Sequence, residues 1–136
     1  HPQARYISDM ATLTGAVVKA RGYELSGLMT QNETLRAALT QAGIKSGDEV
    51  WSLPLDSRLK KQTESAIADL CNTPGNNAAI SASAAWLLQH FCPPEIPWAH
   101  LDVSGTALWR ESGKSVASGR PIPLLIQHLL DDIEES

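Results

Sequence analysis

Hydrophobic and polar positions fall in short blocks along this chain, and each block predicts an element. Residues 4–12 carry Tyr6, Ile7, Met10 and Ala11 with few charges and run into Thr12-Leu13-Thr14-Gly15, the pattern of a largely buried strand stopped by a turn. A second β-like run, Ala16-Val17-Val18-Lys19-Ala20, follows at once. Gly22 and Gly27 then punctuate the chain before a short third strand at Leu28-Met29-Thr30. Asn32 is a suitable N-cap for a helix in which Leu35, Ala38, Leu39 and Ala42 recur at helical spacing, with Gly43 as its C-terminal cap.

Val50-Trp51-Ser52-Leu53, closed by Pro54, predicts a short strand. Asp56 can cap a second helix with the stripe Leu59, Thr63, Ala66, Ile67 and Leu70. Asn72-Thr73-Pro74-Gly75-Asn76-Asn77 predicts a loop, because Pro and Gly break regular structure. Residues 78–91 are small or apolar almost all round, so this helix should be packed between other elements. Trp98 to Val103 predicts a strand, and residues 104–121 a long Gly- and Ser-rich loop. The last helix has Ile122, Leu125, Ile126, Leu129, Leu130 and Ile133 at offsets of three and four, a full apolar face, ahead of an acidic solvated end at Asp131-Asp132-Ile133-Glu134-Glu135.

Strands alternating with helices imply an α/β fold: a three-layer sandwich with a mainly parallel or mixed sheet flanked by helices. In such sheets ligands bind beyond the carboxyl ends of the strands, where Thr12-Leu13-Thr14-Gly15 and Ser104-Gly105-Thr106 fall. A chain of 136 residues that is 43% hydrophobic suits one compact domain over 1–136. The formal charge of −4 excludes a broad nucleic-acid footprint, and Arg58-Leu59-Lys60-Lys61 suits the solvated face of a helix. No apolar run reaches the ~18 residues that a membrane span requires, and no secretory signal opens the chain, so a soluble cytoplasmic protein is expected. The start at His1-Pro2, without an initiating Met, suggests a cleaved or trimmed sequence. Cys71 and Cys92 have no zinc-ligand spacing and are expected to be buried free thiols.

Candidate chemistry is sparse. A strand that stops at Gly15 leaves backbone groups unpaired and lets another backbone come close, which suits peptide binding as well as a plain turn. His100 and Asp102 lie two apart on one strand face and suggest a hydrogen-bonded structural pair, since no further metal ligand stands nearby. Asp9, Asp48, Asp56, Asp69, Glu95 and Asp102 are scattered with no motif to gather them, and the chain has no Gly-x-Ser-x-Gly, phosphate-binding Gly-rich loop or HExxH. No catalytic residue and no metal ligand is therefore assigned.

Read together, Asp9-Met10-Ala11-Thr12-Leu13-Thr14-Gly15, Gly27-Leu28-Met29, Ser46-Gly47-Asp48-Glu49-Val50-Trp51-Ser52-Leu53-Pro54-Leu55, Trp98-Ala99-His100-Leu101-Asp102, Gly105-Thr106-Ala107 and Ser118-Gly119-Arg120-Pro121-Ile122-Pro123-Leu124-Leu125 resemble the C-terminal part of the catalytic domain of the leucyl (cytosol) aminopeptidases. The resemblance implies an enzyme that removes N-terminal residues from peptides with two divalent metals, manganese or zinc, and works as a cytoplasmic hexamer. The family's metal ligands and its Asn-Thr-Asp-Ala-Glu-Gly-Arg segment lie upstream of where this chain begins, so the chain alone is expected to be metal-free and inactive. By resemblance, Thr12, Leu13 and Gly15 hold the substrate main chain, Thr73 touches the leaving side, and Ser104 and Ala107 line the side-chain pocket.

The chain departs from the family pattern at Thr73-Pro74, where Ile-Gly is usual, at Ser104, usually Ala, and at Asn76-Asn77-Ala78-Ala79-Ile80, which replaces a more Gly-rich helix entry. These changes bear on substrate preference. The alternatives are a catalytically silent fragment or assembly module, and an unrelated small α/β ligand-binding domain.

Overall fold

The structure, a computed structural model, describes residues 4–73, 75 and 78–134. Its elements run β1 (Ile7–Ala11), α1 (Gly15–Arg21), β2 (Ser26–Thr30), α2 (Glu33–Ser46), β3 (Val50–Ser52), a 3₁₀ segment (Ser57–Thr63), α3 (Ile80–Gln89), β4 (Trp98–Asp102), β5 (Leu108–Glu111), β6 (Lys114–Ala117) and α4 (Ile122–Glu134). The main sheet has the order β1-β4-β2-β3. β1 runs parallel to β4 and β2 parallel to β3, while β4 and β2 are antiparallel. The sheet is thus mixed and mainly parallel, with helices on both faces, as the alternation of elements predicts.

The central strands β2 and β4 are buried along their whole length, and their side chains alternate between two cores. Leu28, Ala99, Leu101 and Val103 meet Leu35 and Leu39 of α2 and Leu124 of α4 on one face. Met29 and Trp98 meet Ala85 and Trp86 of α3 on the other, where the Trp86 indole donates to the Asp56 carbonyl at 2.8 Å. A fully buried Leu stabilises by roughly 1.5–3 kcal/mol, so these two layers hold the central strands between the helices.

Several predicted elements differ in the structure. Ala16-Val17-Val18-Lys19-Ala20 lies in α1, not in a strand, because Thr14 caps its start by accepting from Val17 N at 3.2 Å and Gly22, at φ 67°, ends it by donating its backbone N–H to Val18 O. α2 continues through Gly43 to a left-handed cap at Gly47. Gly43 lies within the helix, and the lack of a side chain there admits the Asp48 carbonyl oxygen, which a Cβ would meet at 3.0 Å. Asp56 caps a 3₁₀ segment rather than an α-helix, accepting from Arg58 N at 2.9 Å. The predicted stripe stops at Thr63, and Ile67 is 98% exposed. Residues 104–121 contain a hairpin, β5 with β6, turned by Ser112 and Gly113, both at positive φ, in the geometry that matches strand twist.

α4 docks on α2 through Leu124 and His128, leaving Ile122, Ile126, Leu129, Leu130 and Ile133 turned outward. Its acidic end is not merely solvated: Asp131 pairs with Lys45 at 2.9 Å and Asp132 with Arg5. Glu135 lies outside the described residues, as do His1, Pro2, Pro74, Asn76 and Asn77. Cys71 and Cys92 are free and only half-buried. Among the described residues no helix is long and apolar enough to cross a membrane.

Candidate functional site

β1 and β4 end side by side, with Ala11 opposite Asp102, and both carboxyl ends open at the same edge of the sheet. From Ala11 the chain turns through Thr12, Leu13 and Thr14 into α1. Asp102, fully buried, accepts from Leu13 N at 3.2 Å, from Thr14 N at 3.1 Å and from Thr14 Oγ1 at 2.7 Å. It also accepts from Ser104 N at 3.2 Å and from Ser104 Oγ at 2.7 Å. Thr14 is therefore a junction: its hydroxyl caps α1, donates to β4, and meets Ser81 Oγ of α3 at 2.8 Å. Since its proton goes to Asp102, Ser81 is the donor in that last contact.

Beside this turn lies a cleft of about 530 Å³ bounded by Leu13, Thr14 and Gly15 on one side, Asn72 and Thr73 on another, and Ile80, Ala84, Leu87 and Leu88 of α3. Its walls are mainly apolar, and Lys19 supplies a cation at the rim. Leu13, Gly15 and Thr73, singled out from the sequence, come together here. Thr12 is exposed on the turn itself. Ser104 stands behind the turn, its hydroxyl proton given to Asp102 and its oxygen accepting from Thr14 N at 3.1 Å. Ala107 packs against the core on the α2 side of the sheet. Neither Ser104 nor Ala107 borders this cleft.

His100 and Asp102 are not bonded to one another. His100 Nδ1 meets Asp9 Oδ1 at 2.5 Å, and the Trp98 indole donates to the other oxygen of Asp9 at 2.6 Å. The carboxylate of Asp9 thereby holds two buried rings of β4, which stack at 6.3 Å. Sequence reasoning missed Thr14, Ser81 and the partners of Asp102. The signal for Thr14 was present as a Thr three residues ahead of Val17, flanked downstream by Gly22.

Among the described residues no group of three or more His, Cys, Asp or Glu is placed to hold a metal ion. The two carboxylates on this face of the sheet are engaged otherwise, Asp9 by Trp98 and His100, Asp102 by the turn and Ser104. The described residues do not fit a metal centre.

Comparison with known proteins bears on this arrangement. Residues 1–126 match the model of the cytosol aminopeptidase family, catalytic domain. The probable cytosol aminopeptidase of Stutzerimonas stutzeri is 45% identical over 132 residues, covering 96% of this chain and 26% of that protein. The corresponding protein of Burkholderia mallei is 43% identical over 125 residues, covering 92% and 24%. This chain thus spans about a quarter of the length of these relatives. Among solved structures, a mutant of tomato leucine aminopeptidase superposes with a TM-score of 0.84 at 34% identity, over 96% of this chain and 25% of that one. The bottromycin maturation enzyme BotP in complex with Mn gives 0.85 at 30% identity, over 92% and 28%. With residues 1–126 matched by the model of its catalytic domain, the chain belongs to the cytosol aminopeptidase family.

Proposed function

We propose that this chain supplies the substrate-holding part of a metal-dependent aminopeptidase that releases N-terminal residues of the leucine type from peptides. The observation that carries this reading is the meeting of Leu13, Gly15 and Thr73 at one apolar cleft beside a polar turn. Among the described residues nothing donates to the carbonyl oxygens of Thr12 and Leu13. These oxygens suit the N–H groups of a peptide, while Ile80, Ala84 and Leu87 offer an apolar surface to its first side chain. Burying a Leu side chain there would contribute about 1.5–3 kcal/mol.

Two divalent metals, manganese or zinc, would supply carbonyl polarisation and an activated water in the complete enzyme. We assign their ligands to the rest of a complete subunit, because the residues described here do not fit them. The role of this chain's residues is to bind and orient. The same reading includes assembly as a homo-hexamer in the cytoplasm.

The test is hydrolysis of leucyl p-nitroanilide with added manganese or zinc. The complete subunit should turn it over, and the isolated chain should neither do so nor keep stoichiometric metal after dialysis. Two metals held tightly by the isolated chain would overturn this division of roles. A second reading, a silent assembly module, is favoured by the outward apolar residues of α4, and an inactive complete subunit that the chain still joins would support it.

A further inference from the structure

We propose that Asp102 is a positioning residue that sets the direction of two peptide planes in the Thr12–Gly15 turn; this rests on the reading of that turn as the substrate cradle. In a trans peptide the N–H of one residue and the C=O of the residue before it point opposite ways. Asp102 draws Leu13 N and Thr14 N toward the core at 3.2 and 3.1 Å. The carbonyls of Thr12 and Leu13 are thereby turned away from the core, where a ligand's donors can reach them.

Closing a turn does not in itself require a carboxylate in the interior. Burial of an unpaired charge is strongly unfavourable, and Asp102 is fully buried with no Lys or Arg in an ion pair with it among the described residues. It is stabilised instead by N–H and O–H dipoles drawn from two segments, the turn after β1 and the segment after β4. The carboxylate joins both segments in one network. Ser104 extends it, since its hydroxyl accepts from Thr14 N and donates to Asp102. A change at Ser104 therefore acts on the turn from behind.

The variant Asp102→Asn keeps the shape but replaces one acceptor oxygen with an NH₂ group that faces donors. Amide hydrogen exchange of the chain should show Leu13 and Thr14 exchanging at least tenfold faster, with Leu28 and Leu101 unchanged. In the complete subunit, KM for a leucyl substrate should rise at least tenfold while kcat changes less than threefold and bound metal is unaltered. Native exchange at Leu13 and Thr14 in a folded Asp102→Asn chain would overturn the proposal. Faster exchange with an unchanged KM would leave Asp102 as the anchor but overturn the turn as substrate cradle, which separates the two claims. Should Asp102→Asn fail to fold, Thr14→Val and Ser104→Ala carry the same test, each with about threefold faster exchange at the turn expected. No change in either would equally overturn the proposal.

Discussion

Arg120 closes an ion pair with Asp48, an acid only 3% exposed, and the same guanidinium donates to the carbonyls of Glu24 at 2.8 Å and Glu49 at 3.1 Å. One side chain thus ties the segment ahead of α4 to the end of α2 and to the connection between α1 and β2. Breaking such a buried pair by removing one partner typically destabilises by about 3–5 kcal/mol. Arg120→Ala should lose about that much, and Arg120→Lys should recover only part, because an ammonium cannot reproduce the planar fork. Urea unfolding at constant m-value measures both.

His128 gives the chain an acid-sensitive contact. It is packed against Tyr6, with ring centroids 5.1 Å apart, and no group among the described residues meets its Nε2. Burial pushes its pKa below the usual 6.5, opposed by the nearby Asp132 and Asp131 and aided by Arg5. As pH falls, the unfolded chain takes up the proton first, so the stability contributed by neutral His128 is full above about pH 6.5 and is lost below it. Tm should fall between pH 7 and pH 5, and His128→Gln should flatten that dependence. A variant with the same slope as the parent would exclude His128 as the source. Asp131, held below the ordinary carboxylate range by its hydrogen bonds to Lys45 and Gln127, acts at lower pH, outside this window.

Gly105 is fixed by close approach to another backbone. A Cβ at this position would collide with the carbonyl oxygen of Gly22 and stand 3.5 Å from Tyr23 Cα. Because Gly22 itself sits at φ 67°, the connection after α1 cannot easily give way. Gly105→Ala should destabilise by about 1–3 kcal/mol through overpacking, read as a lower denaturation midpoint.

Gly15 presents the opposite case. Nothing lies within 4 Å of the place its Cβ would occupy, and it opens α1 at the edge of the cleft. Gly15→Val should therefore fold with a stability change of no more than about 1 kcal/mol. In the complete subunit it should raise KM at least tenfold with metal content intact. Unchanged turnover of leucyl p-nitroanilide by this variant would separate the cleft from substrate binding.

The central strands were legible because Leu28 to Thr30 and Trp98 to Asp102 are rich in large apolar residues and end at turn residues, and both are buried throughout. β1 was legible as a strand but not in its burial, since Ile7 to Ala11 is only partly buried and Met10 is exposed where a largely buried strand was expected. α1 was not, because Ala16-Val17-Val18 carries β-branched residues and the seven-residue helix depends on its two caps. The hairpin was hidden for a different reason. β6 is exposed throughout and shows no alternation of apolar and polar residues. Of the site, Leu13, Gly15 and Thr73 could be named only through family resemblance. The bonds of Asp102 to Leu13 and Thr14 link residues 89 and 88 positions apart, a separation that no local pattern reports.

That separation gives the turn a place in the order of folding. β1 is laid down early in the chain and β4 late, and their contacts span about ninety positions, as the 91 between Asp9 and His100 illustrate. Closing so long a loop has an entropic cost met only once the sheet is assembled. Until β4 arrives, the amides of Leu13 and Thr14 are bonded to water and their peptide planes turn freely. The cradle is thus acquired with the completion of the fold, and a nascent or truncated chain ending before Asp102 would carry its residues without its shape.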